Sequence, residues 1–351
     1  MDYRYLGHSG LKVSALALGT ATFGGVGAFF EAWGRTQLKE AQRLIGMAKD
    51  AGVNLIDCAD RYSAGVAEEM IGEALSAERH HWLIATKATL RTGDGVNEIG
   101  SSRHHLIEAC EASLRRLQTD YIDLWQMHAF DAATPLEETL RAIDDLVTAG
   151  KIRYVGCSNF SGWHLMKSLA MAERFRYTRY VSHQVYYCLI AREFEWELMP
   201  LALDQHVGTL VWSPLAGGQL SGKLRRDRQA PPDSRYGKLG SMGPAFPREK
   251  LYAIGDILED IAREMQRSVS EIALNWVLHR PTVCSVILGA RNEQQLRTNL
   301  ASGDFTLDAS QVRRLDEVSS TPPVYPYWHQ WIGFADRNPP PVYIDLPRFN
   351  D

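Results

Sequence analysis

Short apolar and β-branched runs recur along the chain at Ala15–Gly19, Leu55–Asp57, Leu83–Lys87, Tyr121–His128, Tyr154–Ser158, Tyr180–Gln184, Thr209–Ser213 and Ser285–Leu288. A second periodicity fills the segments between them. Leu38, Ala41, Leu44, Ile45 and Ala48, and again Leu136, Leu140, Ile143, Leu146 and Val147, fall at the i, i+3, i+4 spacing of an amphipathic helix. The helix predicted near 268–279 opens with Ser268 and Glu271 in capping-box spacing and stops before Pro281. Parallel strands need such crossovers, and eight strand–helix units spaced mostly about 30 residues apart predict an α/β fold, a closed (β/α)8 TIM barrel.

Three segments lie outside the minimal repeat. Residues 3–14 read as a polar hairpin around Gly7-His8-Ser9-Gly10, plugging the barrel ahead of its first strand. Residues 217–248 are rich in Gly, Pro and Arg with little periodicity, as expected of a long functional loop on the C-terminal face. The tail 322–351 holds seven prolines and seven aromatics, which predicts an extended, packed strap. No stretch reads as a linker, so 1–351 is expected to form one domain.

Composition narrows the partners. With 45% hydrophobic and 23% charged residues and a formal charge of -4, the chain reads as a globular protein without the positive field that draws proteins to nucleic acid or an acidic membrane. Five cysteines without a C-x-x-C pair do not form a disulfide framework, and no signal-like or membrane-spanning apolar run is evident. Reduced thiols and a cytoplasmic location are expected, with no membrane association.

Barrels of this kind place their chemistry at the C-terminal ends of the strands. There the second run ends in Asp57, the third in Lys87 and the fourth in His128, with Tyr62 just past Asp57. An acid, an amine, an imidazole and a phenol on consecutive units of one rim form a candidate catalytic constellation. His80-His81 and His104-His105 read instead as surface residues, and no His/Cys/carboxylate spacing supports a metal site.

The motifs bearing these residues, in order, are Leu18-Gly19-Thr20, Asn54-Leu55-Ile56-Asp57-Cys58-Ala59-Asp60-Arg61-Tyr62, Ala85-Thr86-Lys87 and Asp120-Tyr121-Ile122-Asp123-Leu124-Trp125-Gln126-Met127-His128. Gly156-Cys157-Ser158-Asn159-Phe160, His183-Gln184, Trp212-Ser213-Pro214-Leu215-Ala216-Gly217-Gly218 and Leu288-Gly289-Ala290-Arg291 follow. As an ordered set they resemble the aldo-keto reductases, in particular the bacterial and potassium-channel-β-subunit-like branch. The resemblance implies that Tyr62 is the general acid, that Lys87 and Asp57 form its supporting ion pair and that His128 orients the carbonyl. An ammonium ~4 Å from the phenol at an effective dielectric of ~20 is worth up to ~4 kcal/mol, or about three pKa units downward. Desolvation opposes this, so a smaller net depression is expected.

Carbonyl reduction also needs a hydride that no side chain supplies, which implies a nicotinamide cofactor. Gly25-Val26-Gly27-Ala28-Phe29-Phe30 lacks the third glycine and the acidic partner of a Rossmann fingerprint. Phosphates are expected instead in the loops after the seventh and eighth strands. Ser213, Pro214, Leu215, Ala216, Gly217, Gly218, Ser221, Gly222, Lys223 and Arg235 are similar to the family's pyrophosphate strap. Gly289 and Arg291 with Gln295 and Asn299 match its adenine end, and Gly19 and Thr20 at the end of the first strand are expected to contact the cofactor. Ser158, Asn159 and Gln184 match carboxamide-binding positions, and Trp212 matches the ring that stacks on the nicotinamide. Many relatives of the channel-subunit branch carry a serine where Arg291 stands and an acid where Thr298 stands. Arginine suits a phosphate better than a ribose hydroxyl, which favours NADP over NAD.

Phe23, Phe29, Phe30 and Trp33 are expected to wall an apolar pocket for a small carbonyl substrate, together with Tyr325, Tyr327, Trp328 and Trp331 of the tail or without them. Reduction of aldehydes or ketones is thus the expected activity, the alternative being a nucleotide-sensing interaction subunit with little turnover. A glycoside hydrolase is excluded, because the fourth and seventh strands end in His128 and Trp212-Ser213 rather than in paired carboxylates.

Overall fold

The computed structural model describes residues 1–229, 231–232, 235–239 and 246–331. Strands β1 (Tyr3–Tyr5) and β2 (Lys12–Ser14) form an antiparallel hairpin, with Tyr3 opposite Ser14. The barrel strands are β3 (Leu16–Gly19), β4 (Leu55–Asp57), β5 (Leu83–Ala88), β6 (Ile122–Met127), β7 (Ile152–Ser158), β8 (Ser182–Tyr186), β9 (Gly208–Trp212) and β10 (Val283–Gly289). Each pairs in parallel with the next, and β10 closes on β3. These eight are the strands expected from the sequence, to within two or three residues at each end.

The described helices are α1 (Ala28–Trp33), α2 (Leu38–Asp50), α3 (Val66–Leu75), α4 (Arg103–Leu117), α5 (Leu136–Thr148), α6 (Gly162–Phe175), α7 (Leu198–Gln205), α8 (Arg235–Leu239), α9 (Arg248–Met265), α10 (Val269–Leu278), α11 (Glu293–Leu300), α12 (Ala309–Ser319) and α13 (Tyr327–Trp331). In α2 and α5 the periodic residues face inward: Ala41, Leu44, Ile45 and Ala48 in the first, Leu140, Ile143 and Leu146 in the second. The capping box at α10 is present, Glu271 N donating to Ser268 Oγ and Ser268 N to Glu271 Oε2.

Strand alternation sorts the side chains. Leu55, Ala85, Leu124 and Leu210 point into the barrel, where Leu6 and Val13 of the hairpin close its lower end. Gly7 makes that closure possible. It sits at φ 57°, and a Cβ there would lie 2.3 Å from Val181 O and 2.6 Å from Gly208 N. Two residues further along the same inward faces stand Asp57, Lys87 and Gln126, so the alternation that packs the floor also sets the chemistry above it.

Some expectations are corrected. The loop after β9 carries the short helix α8, too brief for periodicity to reveal. Of the tail, residues 322–326 form neither helix nor strand and α13 follows them, its Tyr327 ring 6.1 Å from Trp196; the remainder of the expected strap, residues 332–351, lies outside the described residues. His105 is buried rather than exposed, because on α4 it precedes Leu106 on the inward face.

Candidate functional site

The site is built on β4 and β5. Lys87 is fully buried, and its Nζ donates to Asp57 Oδ1 and Oδ2, both at 2.8 Å, to Cys58 O at 2.6 Å and to Tyr62 Oη at 3.3 Å. The segment after β4 brings the phenol to this amine by lying across the end of β5: Cys58 N donates to Ala85 O, Asp60 N to Lys87 O and Tyr62 N to Ala59 O. A tight turn follows, with Ser63 and Ala64 in left-handed conformation and Ser63 Oγ donating to Phe23 O. Helix α3 is pinned to β5 by Glu68, which accepts from Thr86 Oγ1 at 2.5 Å and Arg116 Nε at 2.8 Å. His128 continues β6, its N donating to Ala88 O, and its ring lies 6.0 Å from that of Tyr62.

The electrostatics differ from the simple expectation. Burial pushes the Tyr62 phenol up to about 12, outweighing Lys87, which pulls it down. Desolvation therefore wins, and the net depression expected from the ammonium is not found. The ring is held neutral, and since Lys87 donates to its oxygen, its own proton is left for the cavity. Burial alone would discharge Lys87; attraction to Asp57, then to Tyr62, overrides it and raises its pKa. Burial, reinforced by Lys87 and Arg61, holds His128 well below its ordinary value, so the imidazole is neutral at pH 7.

Asp57, Tyr62 and His128 open onto a cavity of about 680 Å³ that runs from α1 across the barrel mouth to the loops after β9 and β10. Its inner wall includes Gly19, Thr20, Ser158, Asn159, Gln184 and Trp212. Its far end is lined by the chain after β9, where Ser213, Ala216, Gly217 and Gly218 have positive φ and Gly217 N donates to Ser213 Oγ.

A barrel with a phenol, a buried ammonium–carboxylate pair and an imidazole on one rim, opening into a cleft that runs to the last two strand loops, agrees with the match of residues 15–320 to the aldo/keto reductase family model. The chain belongs to the aldo/keto reductase family. It is 35% identical over 333 residues to the Bacillus subtilis oxidoreductase YrpG, covering 92% of this chain and 97% of that one. It is 33% identical to a probable voltage-gated potassium channel subunit beta of Arabidopsis thaliana, over 93% of this chain and 99% of the relative. Versiconal hemiacetal acetate reductase of Aspergillus parasiticus is likewise 33% identical, over 93% and 99%. As an aldo/keto reductase the protein is an oxidoreductase of small carbonyl compounds, in a family that uses nicotinamide cofactors.

Of the strap residues expected from the sequence, Ser213, Pro214, Leu215, Ala216, Gly217, Gly218, Ser221 and Lys223 line the cavity. Gly222 does not: at φ 77° it turns away and packs against Val269. The side chain of Arg235 lies outside the described residues; its neighbour Tyr236 lines the cavity. After β10, Gly289, Arg291, Gln295 and Asn299 face it as expected. Arg291 also holds the end of α1, donating from Nε to Trp33 O and from Nη2 to Ala32 O.

Two amides matched to the carboxamide are already engaged. Gln184 Nε2 donates to Asp57 Oδ1 at 2.7 Å, while Asn159 donates to His128 O and accepts from Trp212 Nε1. Phe29, Phe30 and Trp33 wall the cavity, but Phe23 is buried in the core behind it, because its segment turns inward above Ser63. Tyr325, Tyr327 and Trp328 are not among the lining residues. Arg61, Leu90 and Tyr186 are lining residues the sequence reading missed. Tyr186 stands two residues past Gln184 on the same strand face, a spacing that could have found it, and its ring lies 4.8 Å from Trp212.

Proposed function

We propose that the protein reduces aldehydes or ketones to alcohols with NADPH, Tyr62 acting as the general acid. The observation that carries this reading is the phenol held 3.3 Å from a buried ammonium at the wall of a cleft that runs on to the loops after β9 and β10.

Features of the cleft itself fit such a group. Ser158 Oγ is buried on its wall and has no hydrogen-bond partner among the described residues. A Cβ on Gly218 would meet nothing within 4 Å, so backbone and anion can approach closely there. Ser158 and the carbonyl oxygen of Gln184 would hold the carboxamide, Trp212 would face the ring, the chain from Ser213 to Lys223 would hold the pyrophosphate, and Arg291 would meet the 2'-phosphate with Gln295 and Asn299 at the adenine. When bound, the cofactor supplies the hydride.

The chain's own residues do the rest. Tyr62 gives its proton to the oxygen of the substrate carbonyl as negative charge develops there. Lys87 offsets the charge left on the phenolate, and Asp57 keeps Lys87 protonated in a site where an isolated amine would discharge. His128, neutral, orients the carbonyl oxygen by hydrogen bonding. Phe29, Phe30 and Trp33 exclude water and strengthen each of these interactions.

The test follows absorbance at 340 nm with NADPH or NADH and 4-nitrobenzaldehyde. Turnover that prefers NADPH and falls at least 100-fold in Lys87→Met supports the reading. Tight NADP binding with no turnover across a panel of carbonyls would move the proposal to a nucleotide-binding interaction subunit, the Arabidopsis relative being named a probable potassium channel subunit beta.

A further inference from the structure

Beside Tyr62 the cleft contains a cation that forms no ion pair among the described residues. Arg61 lines the cavity and is half-buried. Among the described residues its guanidinium donates no hydrogen bond and has no carboxylate within ion-pair distance. Its contact is an aromatic one, 6.0 Å from the centre of the Phe30 ring. Phe30 in turn lies 5.7 Å from the Tyr62 ring, so the cation and the phenol both lie against the Phe30 ring.

The nearby acids do not satisfy Arg61. Asp57 is taken by Lys87, and Glu68 by Arg116. Asp60 is buried, and burial, then Glu68, raises its carboxyl well above its ordinary value, which weakens it as a counter-charge for Arg61. The other cations lining the cavity, Lys223 and Arg291, belong to the loops after β9 and β10. A guanidinium with no ion pair among the described residues, beside apolar walls, is a geometry suited to a carboxylate, which it binds bidentately and with a strength that grows as water is excluded.

We propose that Arg61 is the subsite for a carboxylate on the substrate, and that the preferred substrates are aromatic aldehydes whose ring lies along Phe30 with a carboxylate remote from the carbonyl. The assignment rests on the reductase reading and deepens it. It makes a chemical distinction that the aromatic walls alone do not: an acid and its methyl ester have nearly the same shape, but only the acid meets the guanidinium.

The experiment compares kcat/KM for 4-carboxybenzaldehyde and methyl 4-formylbenzoate, with NADPH, in the native protein, Arg61→Met and Arg61→Lys. Calorimetric titration of 4-(hydroxymethyl)benzoate and its methyl ester, with and without NADP, supplies a readout that needs no hydride transfer. The native protein is expected to favour the acid at least tenfold in kcat/KM. Arg61→Met abolishes that preference through KM and weakens binding of the acid alcohol at least tenfold, and Arg61→Lys keeps part of both. Binding that behaves this way without turnover of either aldehyde removes the reductase reading and keeps the subsite. Turnover of both aldehydes with no preference for the acid, a preference that survives in Arg61→Met, or a loss confined to KM for NADPH overturns the subsite and leaves the reductase reading standing.

Discussion

Replacing Asp57 with asparagine strips the counter-charge from an ammonium that has no contact with water. Lys87 is 0% exposed and Asp57 4% exposed, and the pair is joined by two 2.8 Å contacts. Removing one member of a buried, hydrogen-bonded ion pair costs about 3–5 kcal/mol, because the partner must stay charged without compensation or give up its proton. At about 2.1 cal/mol/K of unfolding entropy per residue, that loss lowers the melting temperature of a chain this size by roughly 4–7 °C. The double variant Asp57→Asn/Lys87→Met removes both charges, and its stability should recover toward the native value, giving a coupling of at least about 2 kcal/mol. Activity should stay lost in all three variants. Urea unfolding followed by far-UV circular dichroism, beside steady-state reduction, measures both. If the two single effects add to the double within about 0.5 kcal/mol, the pair is not held as opposite charges and the account of how Tyr62 is supported fails.

Arg291→Ala should weaken NADPH by about tenfold or more while changing NADH little, since a charge-assisted hydrogen bond is worth about 1.5–3 kcal/mol; fluorescence titration of both cofactors checks it, and equal losses would reduce Arg291 to its bonds with Ala32 O and Trp33 O. His183, buried and accepting from Phe160 N, has its pKa pushed down by burial to about 3. The unfolded chain therefore takes up a proton that the folded one refuses, and stability is lost as pH falls from about 6.5 toward 3, with a slope of up to about 1.4 kcal/mol per pH unit from this residue. His183→Gln should flatten urea midpoints measured across that window, and an unchanged slope would place the acid sensitivity elsewhere. Gly7→Ala should destabilise by at least about 2 kcal/mol, because φ 57° and the Val181 and Gly208 backbone leave no room for a methyl; a native-like urea midpoint would show that the hairpin shifts freely.

The barrel was legible because its strands are short apolar runs set between helical patterns, and Asp57, Lys87 and His128 followed from where those runs end. What stayed hidden depended on distances that spacing does not encode. Phe23 and Phe29 look alike in sequence, yet one is drawn behind the wall by the Ser63 turn and the other faces the cavity. The contest between burial and Lys87 over the Tyr62 proton turned on how dry the site is, which only packing reveals. Helices α1 and α8 span too few residues to show a period. Arg61 carries no signal in the sequence, where a single arginine is unremarkable; its interest comes from its place on the cavity wall and from neighbouring acids already paired with other cations or deeply buried.

The most direct test of the central claim is a single turnover with NADPH deuterated at C4, following product formation and label transfer in the native protein and in Tyr62→Phe, with cofactor affinity measured on both. The expected result is direct transfer of deuterium to the alcohol carbon in the native protein, slowed by about 100-fold or more in Tyr62→Phe with NADPH affinity within about threefold. Transfer at the native rate without the phenol would contradict it.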